Sequence, residues 1–112
     1  MNELIKNVEK ERVFAPKGLV EVEGGRVNSL TLAQTPGCKV TLFAIDEGEG
    51  MSSHSAPGDA MAFVQEGTAQ ITINGEPHEV KSGEAIVIPA GAPHAVKAVT
   101  AFKMLLTVVL PG

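Results

Sequence analysis

The chain reads as an all-β protein, an antiparallel sandwich or barrel. Short runs of alternating apolar residues recur along its length. Turn signals separate them, among them Pro36-Gly37, Asn74-Gly75, Ser82-Gly83 and Pro89. No long stretch carries the three-to-four-residue apolar repeat of an amphipathic helix.

In order, residues 1–12 are polar, with Leu4, Ile5 and Val8 on one helical side. One turn of helix and an extended arm fit them equally. Ala15-Pro16-Lys17-Gly18 is a turn, so residues 1–18 form an N-terminal arm and residues 19–112 a single barrel domain. Leu19 to Glu23 alternates apolar and acidic residues, which predicts a short strand. Gly24-Gly25 turns the chain into a strand over Val27 to Gln34. Cys38 to Ile45 is apolar on both faces, so cover is expected on both sides. An acidic, glycine-rich loop over Asp46 to Gly50 leads to His54 on a short extended piece. Strands follow over Ala60 to Gln65 and Thr68 to Ile73, and Asn74-Gly75 is a hairpin turn. His78 to Lys81, Ala85 to Ile88, His94 to Val99 and Phe102 to Val109 complete a set of about ten strands.

The chain has 112 residues, enough for one domain with a real core. Hydrophobic residues make up 44%, which excludes intrinsic disorder. Its net charge is −4 and no run of Lys or Arg occurs, so nucleic acid is not an expected partner. There is no Trp or Tyr and only 4 Phe, which argues against a site built on aromatic stacking. Cys38 is the single cysteine, so no internal disulfide forms, and a reducing, cytoplasmic setting is expected. The amino end lacks the apolar core of a secretory signal, and Met104 to Leu110 is too short to cross a membrane.

Two histidines mark the ends of the most structured stretch. The segment Gly83-Glu84-Ala85-Ile86-Val87-Ile88-Pro89-Ala90-Gly91-Ala92-Pro93-His94 resembles the second motif of the cupins. That motif runs Gly, five residues, Pro, four, His, three, Asn, and Gly83, Pro89 and His94 match it. The first motif runs Gly, five residues, His, one, His, three or four, Glu, six, Gly. His54 and Gly67 match it, and Gly50 stands near its first glycine. The resemblance covers about half the chain directly and implies a small single-domain cupin, a double-stranded β-helix or jelly-roll barrel. It also implies a homodimer paired through a sheet, which hides edge strands.

The departures from the motifs concern the metal. The second His of the first motif is replaced by Ala56, its Glu by Ala60, and the Asn of the second motif by Ala98. His54 and His94 remain, with Asp59 as a third candidate ligand one residue from the Glu position. A one-residue slip on a strand turns a side chain outward, unless a bulge at Pro57-Gly58 turns it back. The metal set is therefore His54, His94 and Asp59, and the cofactor is either none or a weakly bound divalent transition metal (Fe, Mn, Ni or Zn). Methyl groups in place of ligands enlarge and dry the cavity. Its expected lining is His54, Ala56, Ala60, His94 and Met104, with Met51 and Met61 as further gap-fillers.

Two functions follow. One is a small-molecule-binding cupin without a complete metal site. The other is a metal-dependent enzyme, a dioxygenase or an isomerase, built on His54, His94 and Asp59. A histidine acting as general base without metal is compatible with either barrel.

Overall fold

The computed structural model describes residues 3–111. Met1 and Asn2 of the arm, and Gly112 at the end of the barrel, lie outside them. The described residues form nine strands: β1 (Val27–Thr35), β2 (Cys38–Ile45), β3 (Gly50–His54), β4 (Asp59–Glu66), β5 (Thr68–Ile73), β6 (Glu76–Lys81), β7 (Ala85–Ile88), β8 (His94–Ala98) and β9 (Phe102–Val109). They pair antiparallel throughout, in two sheets of order β1-β2-β9-β4-β7 and β3-β8-β5-β6. Sequence neighbours such as β3 and β4 fall in different sheets, so the chain crosses between them and wraps one core. This is the jelly-roll barrel.

Alternation along the strands decides what enters that core. Ala60, Ala62 and Val64 of β4, Ile71 of β5, Val96 and Ala98 of β8, and Phe102 and Met104 of β9 are buried between the sheets. Each large side chain so buried contributes about 1.5–3 kcal/mol. A second apolar cluster lies on the outer face of the larger sheet. There Leu32 of β1 and Leu42 and Ala44 of β2 meet Val20, with Val8, Leu19 and Val22 packed around them. Strand β2 is thus covered on both sides, as its two apolar faces require.

That outer cluster corrects one expectation. Leu19 to Glu23 is not a strand: Pro16–Leu19 is a 3-10 turn, and the residues after it run across the outer face without joining a ladder. Val20 is buried there at 7% exposure, and the segment's polar contact to β1 is the Asn28 side-chain amide donating to the Glu21 carbonyl at 2.9 Å. A chain lying over a sheet face cannot also pair at its edge. Upstream, the Lys6 amide donates to Leu32 O at 2.7 Å and Asn7 Nδ2 to Thr31 O at 2.7 Å, so the arm is hooked to β1. It runs in bends and a turn, with positive φ at Asn7 and Glu11, and is neither the helical turn nor the extended segment expected.

The Asn74-Gly75 hairpin forms as the dipeptide predicts. Both residues take positive φ, 51° and 81°, and Ile73 pairs with Glu76 across a two-residue loop. Strand β6 therefore begins at Glu76, two residues before the expected His78.

Candidate ligand-binding site

Pairing register brings strand ends together at one mouth of the barrel. Strands β2, β4 and β8 begin there, and β3, β7 and β9 end there. The Gly91 amide donates to Ala56 O at 2.8 Å and the Leu110 amide to Gly37 O at 2.9 Å, which ties the loops of the mouth to one another.

His54 and His94 face each other directly across β3 and β8. Their ring centroids are 4.3 Å apart and the ring planes meet at 57°. His94 is buried, at 5% exposure, while His54 stands at the exposed rim. A break in register between Met51 and His54 sets this geometry. Residues three apart on a regular strand point to opposite faces, yet Met51 and His54 both line the cavity. The irregularity turns His54 back inward.

Each imidazole is oriented by its own backbone. His54 Nδ1 lies 2.9 Å from Ser52 O, and His94 Nδ1 lies 3.0 Å from Ala92 O. A carbonyl only accepts, so in the neutral ring Nδ1 carries the proton and Nε2 keeps its lone pair. The pair therefore offers two acceptor nitrogens that no intramolecular hydrogen bond occupies among the described residues.

Behind the rings lies a cavity of about 280 Å³. Its wall is apolar: Ala56, Ala60, Ala62, Ile71, Ile88, Val96, Met104, Leu106 and Val108, with Phe43 and Met51. Thr41 and Lys39 add polar groups from β2. The volume lies near the lower end of small-molecule sites, ~300–1,000 Å³. Of the residues singled out from sequence, His54, Ala56, Ala60, His94, Met51 and Met104 all lie on this wall. Met61 does not. It alternates outward between Ala60 and Ala62 and is 45% exposed on the far side of the sheet.

Asp59 is also corrected. Its side chain is exposed and absent from the cavity wall, and its Oδ1 accepts a 2.8 Å hydrogen bond from the Ala90 amide. The register irregularity falls before His54, not at Pro57-Gly58, so β4 runs regularly from Asp59 and sends it away from Ala60. Among the described residues, no third His, Cys, Asp or Glu stands close enough to the two imidazoles to complete a set of ligands. The donors present do not fit a firmly held resident ion, since a catalytic transition metal generally takes at least three protein ligands.

Comparison with known proteins agrees with the architecture. The family model for the cupin domain matches residues 41–110. The chain belongs to the cupin family. It is similar in structure to a conserved protein of unknown function from Streptococcus pyogenes, at 42% identity and a TM-score of 0.96, covering 99% of this chain and 97% of that one. It is similar to a cupin superfamily protein from Desulfitobacterium hafniense, at 28% identity and a TM-score of 0.90, covering 95% and 97% of the two chains. A salicylate 1,2-dioxygenase from Pseudaminobacter salicylatoxidans shares the fold alone, at 17% identity and a TM-score of 0.70 over 83% of this cupin and 29% of that chain. No curated protein matches it.

Two features of the mouth escaped the sequence reading. Gly48, not Gly50, has five residues between it and His54, the spacing of the first motif, and takes the left-handed φ of 82° expected of a turn glycine. Gly50 is glycine for another reason: a Cβ there would run into the Val96 carbonyl oxygen of β8. Lys39, which carries no signal of its own in the sequence, is the second. Its alternation with Thr41 and Phe43 on the inner face of this cupin was the available signal.

Proposed function

We propose that this cupin captures a small, largely apolar molecule, with His54 and His94 accepting hydrogen bonds from it. The observation that carries this reading is the apolar cavity of about 280 Å³ lined by two imidazoles whose Nδ1 atoms are held by backbone carbonyls and whose Nε2 atoms have no hydrogen bond among the described residues. Such a site binds by burial of apolar area and orients by a few polar groups. The competing reading, a metal-dependent dioxygenase or isomerase using His54, His94 and Asp59, loses support because the Asp59 carboxylate is committed to the Ala90 amide.

The test fills the cavity. Ala60→Leu, and separately Ala56→Leu at the rim, place a branched side chain where the ligand would lie. In a thermal-shift screen of small organic molecules, hits that raise the Tm of the wild type are expected to lose their effect in both variants. Hits that stabilise the filled variants equally well would contradict the proposal.

The partner within the assembly is a second copy of the chain. Met61, Val87 and Val109 are exposed at 45%, 57% and 61% on the outer face of the larger sheet. Met61 sits beside Val87 in the ladder, which makes that face continuous. Pairing two such faces hides apolar area and follows the usual two-fold symmetry of small oligomers. Light scattering is expected to give twice the chain mass for the wild type and the single-chain mass for Met61→Lys/Val87→Lys. A monomeric wild type would contradict the homodimer. The lone thiol at Cys38, half-buried and not fully buried as a structural thiol would be, is compatible with a cytoplasmic setting.

A further inference from the structure

We infer that the molecule taken by the His54–His94 cavity is an organic acid. Its carboxylate sits at Lys39 on the rim, its apolar body fills the barrel, and its own O–H or N–H meets the imidazoles. The inference rests on the small-molecule reading above and adds the ligand class.

Three observations carry it. First, Lys39 is the one lysine, and with neutral histidines the one charged side chain, on the wall of the cavity, and the wall holds no carboxylate. The chain as a whole carries a net charge of −4, so Lys39 sets a positive charge at the cavity of a net acidic protein. Second, its position is on the inner face. Lys39 pairs with Val108 of β9, and both side chains line the cavity. A lysine there lays its methylene stem along the apolar wall and holds the ammonium at the water boundary. Among the described residues that ammonium has no ion pair, as is true also of Lys6, Lys97 and Lys103, whereas Lys10, Arg12, Lys17, Arg26 and Lys81 each have one.

Third, in their neutral form the imidazoles do not take the carboxylate themselves. Their Nδ1–H groups are spent on Ser52 O and Ala92 O, and the Nε2 lone pairs left over would repel an anion. They require a donor. The wall thus separates two polar demands, an anion at Lys39 and a donor at His54 and His94, with an apolar span between them. A purely apolar ligand would leave both unmet. A solvated lysine, with no ligand role, is the alternative that the experiment decides against or for.

The experiment is isothermal titration of the full chain with ω-hydroxy carboxylic acids of four to eight carbons, each against its own primary amide, at neutral pH and low salt. The titrations are repeated on Lys39→Gln, an exposed substitution that leaves the core untouched. At least one acid is expected to bind about fivefold more tightly than its amide, the upper range of a rim ion pair. The preference is expected to vanish in Lys39→Gln and to shrink at high salt. Equal affinity for every acid and its amide would overturn the organic-acid assignment while leaving the small-molecule reading intact. An acid preference that survives Lys39→Gln would overturn the role of Lys39. No binding by any member of any pair would count against the small-molecule reading itself, and the inference would fall with it.

Discussion

At the scale of single residues, the site is a matter of which atoms point inward. His54 and His94 are legible through the resemblance to the cupin motifs, where Gly83, Pro89 and His94 match the second and His54 and Gly67 the first. The alanines at 56 and 60 were legible too, and both lie on the cavity wall. Asp59 was not. Its inward turn depended on a bulge at Pro57-Gly58, and the pairing irregularity falls instead between Met51 and His54. No residue type in Met51-Ser52-Ser53-His54 announces an irregular register. The tautomer of each ring was equally hidden, because it is set by carbonyls at Ser52 and Ala92, which sequence does not orient. Lys39 is hidden too, because a lysine next to the start of a strand reads as a solvated residue, and only the pairing of β2 with β9 makes it the first inward position.

At the scale of elements, alternation and turn chemistry foretold most strands. The Asn74-Gly75 hairpin follows from two residues that tolerate positive φ. The failure at Leu19 to Glu23 has a physical source: alternation tells which side chains seek cover but not whether the backbone will pair. That segment found cover on a sheet face, through Val20 against Leu42 and Leu32. Gly67, between β4 and β5, shows how an element boundary is enforced. Its φ is +79°, and a Cβ there would collide with the Ala101 carbonyl oxygen and with Phe102, which is fully buried. Gly67→Ala is expected to cost at least about 2 kcal/mol, a drop of roughly 8 °C in Tm. Gly91→Ala is the control: φ is again +79° but nothing lies within 4 Å, so about 1 kcal/mol is expected. Equal melting temperatures for the two variants would mean that close packing at Gly67 is unimportant.

At the scale of the whole molecule, the barrel wraps one core between two sheets and leaves a hollow at one mouth. A four-ligand metal site and an apolar pocket occupy the same place in such a barrel, and the residues at positions 56 and 60 distinguish them. With alanine at both, two imidazoles face an apolar wall. The fold itself is indifferent to the choice, which is why structural neighbours at low identity say nothing about it.

Metal content decides the matter most directly. The wild type, purified without chelator or nickel resin, is to be measured by elemental analysis beside Ala56→His/Ala60→Glu, which would add two ligands to the existing pair. Well under one equivalent of Mn, Fe, Ni or Zn is expected in the wild type, and close to one in the double variant. Near-stoichiometric metal in the wild type that is lost in both His54→Ala and His94→Ala would contradict the account.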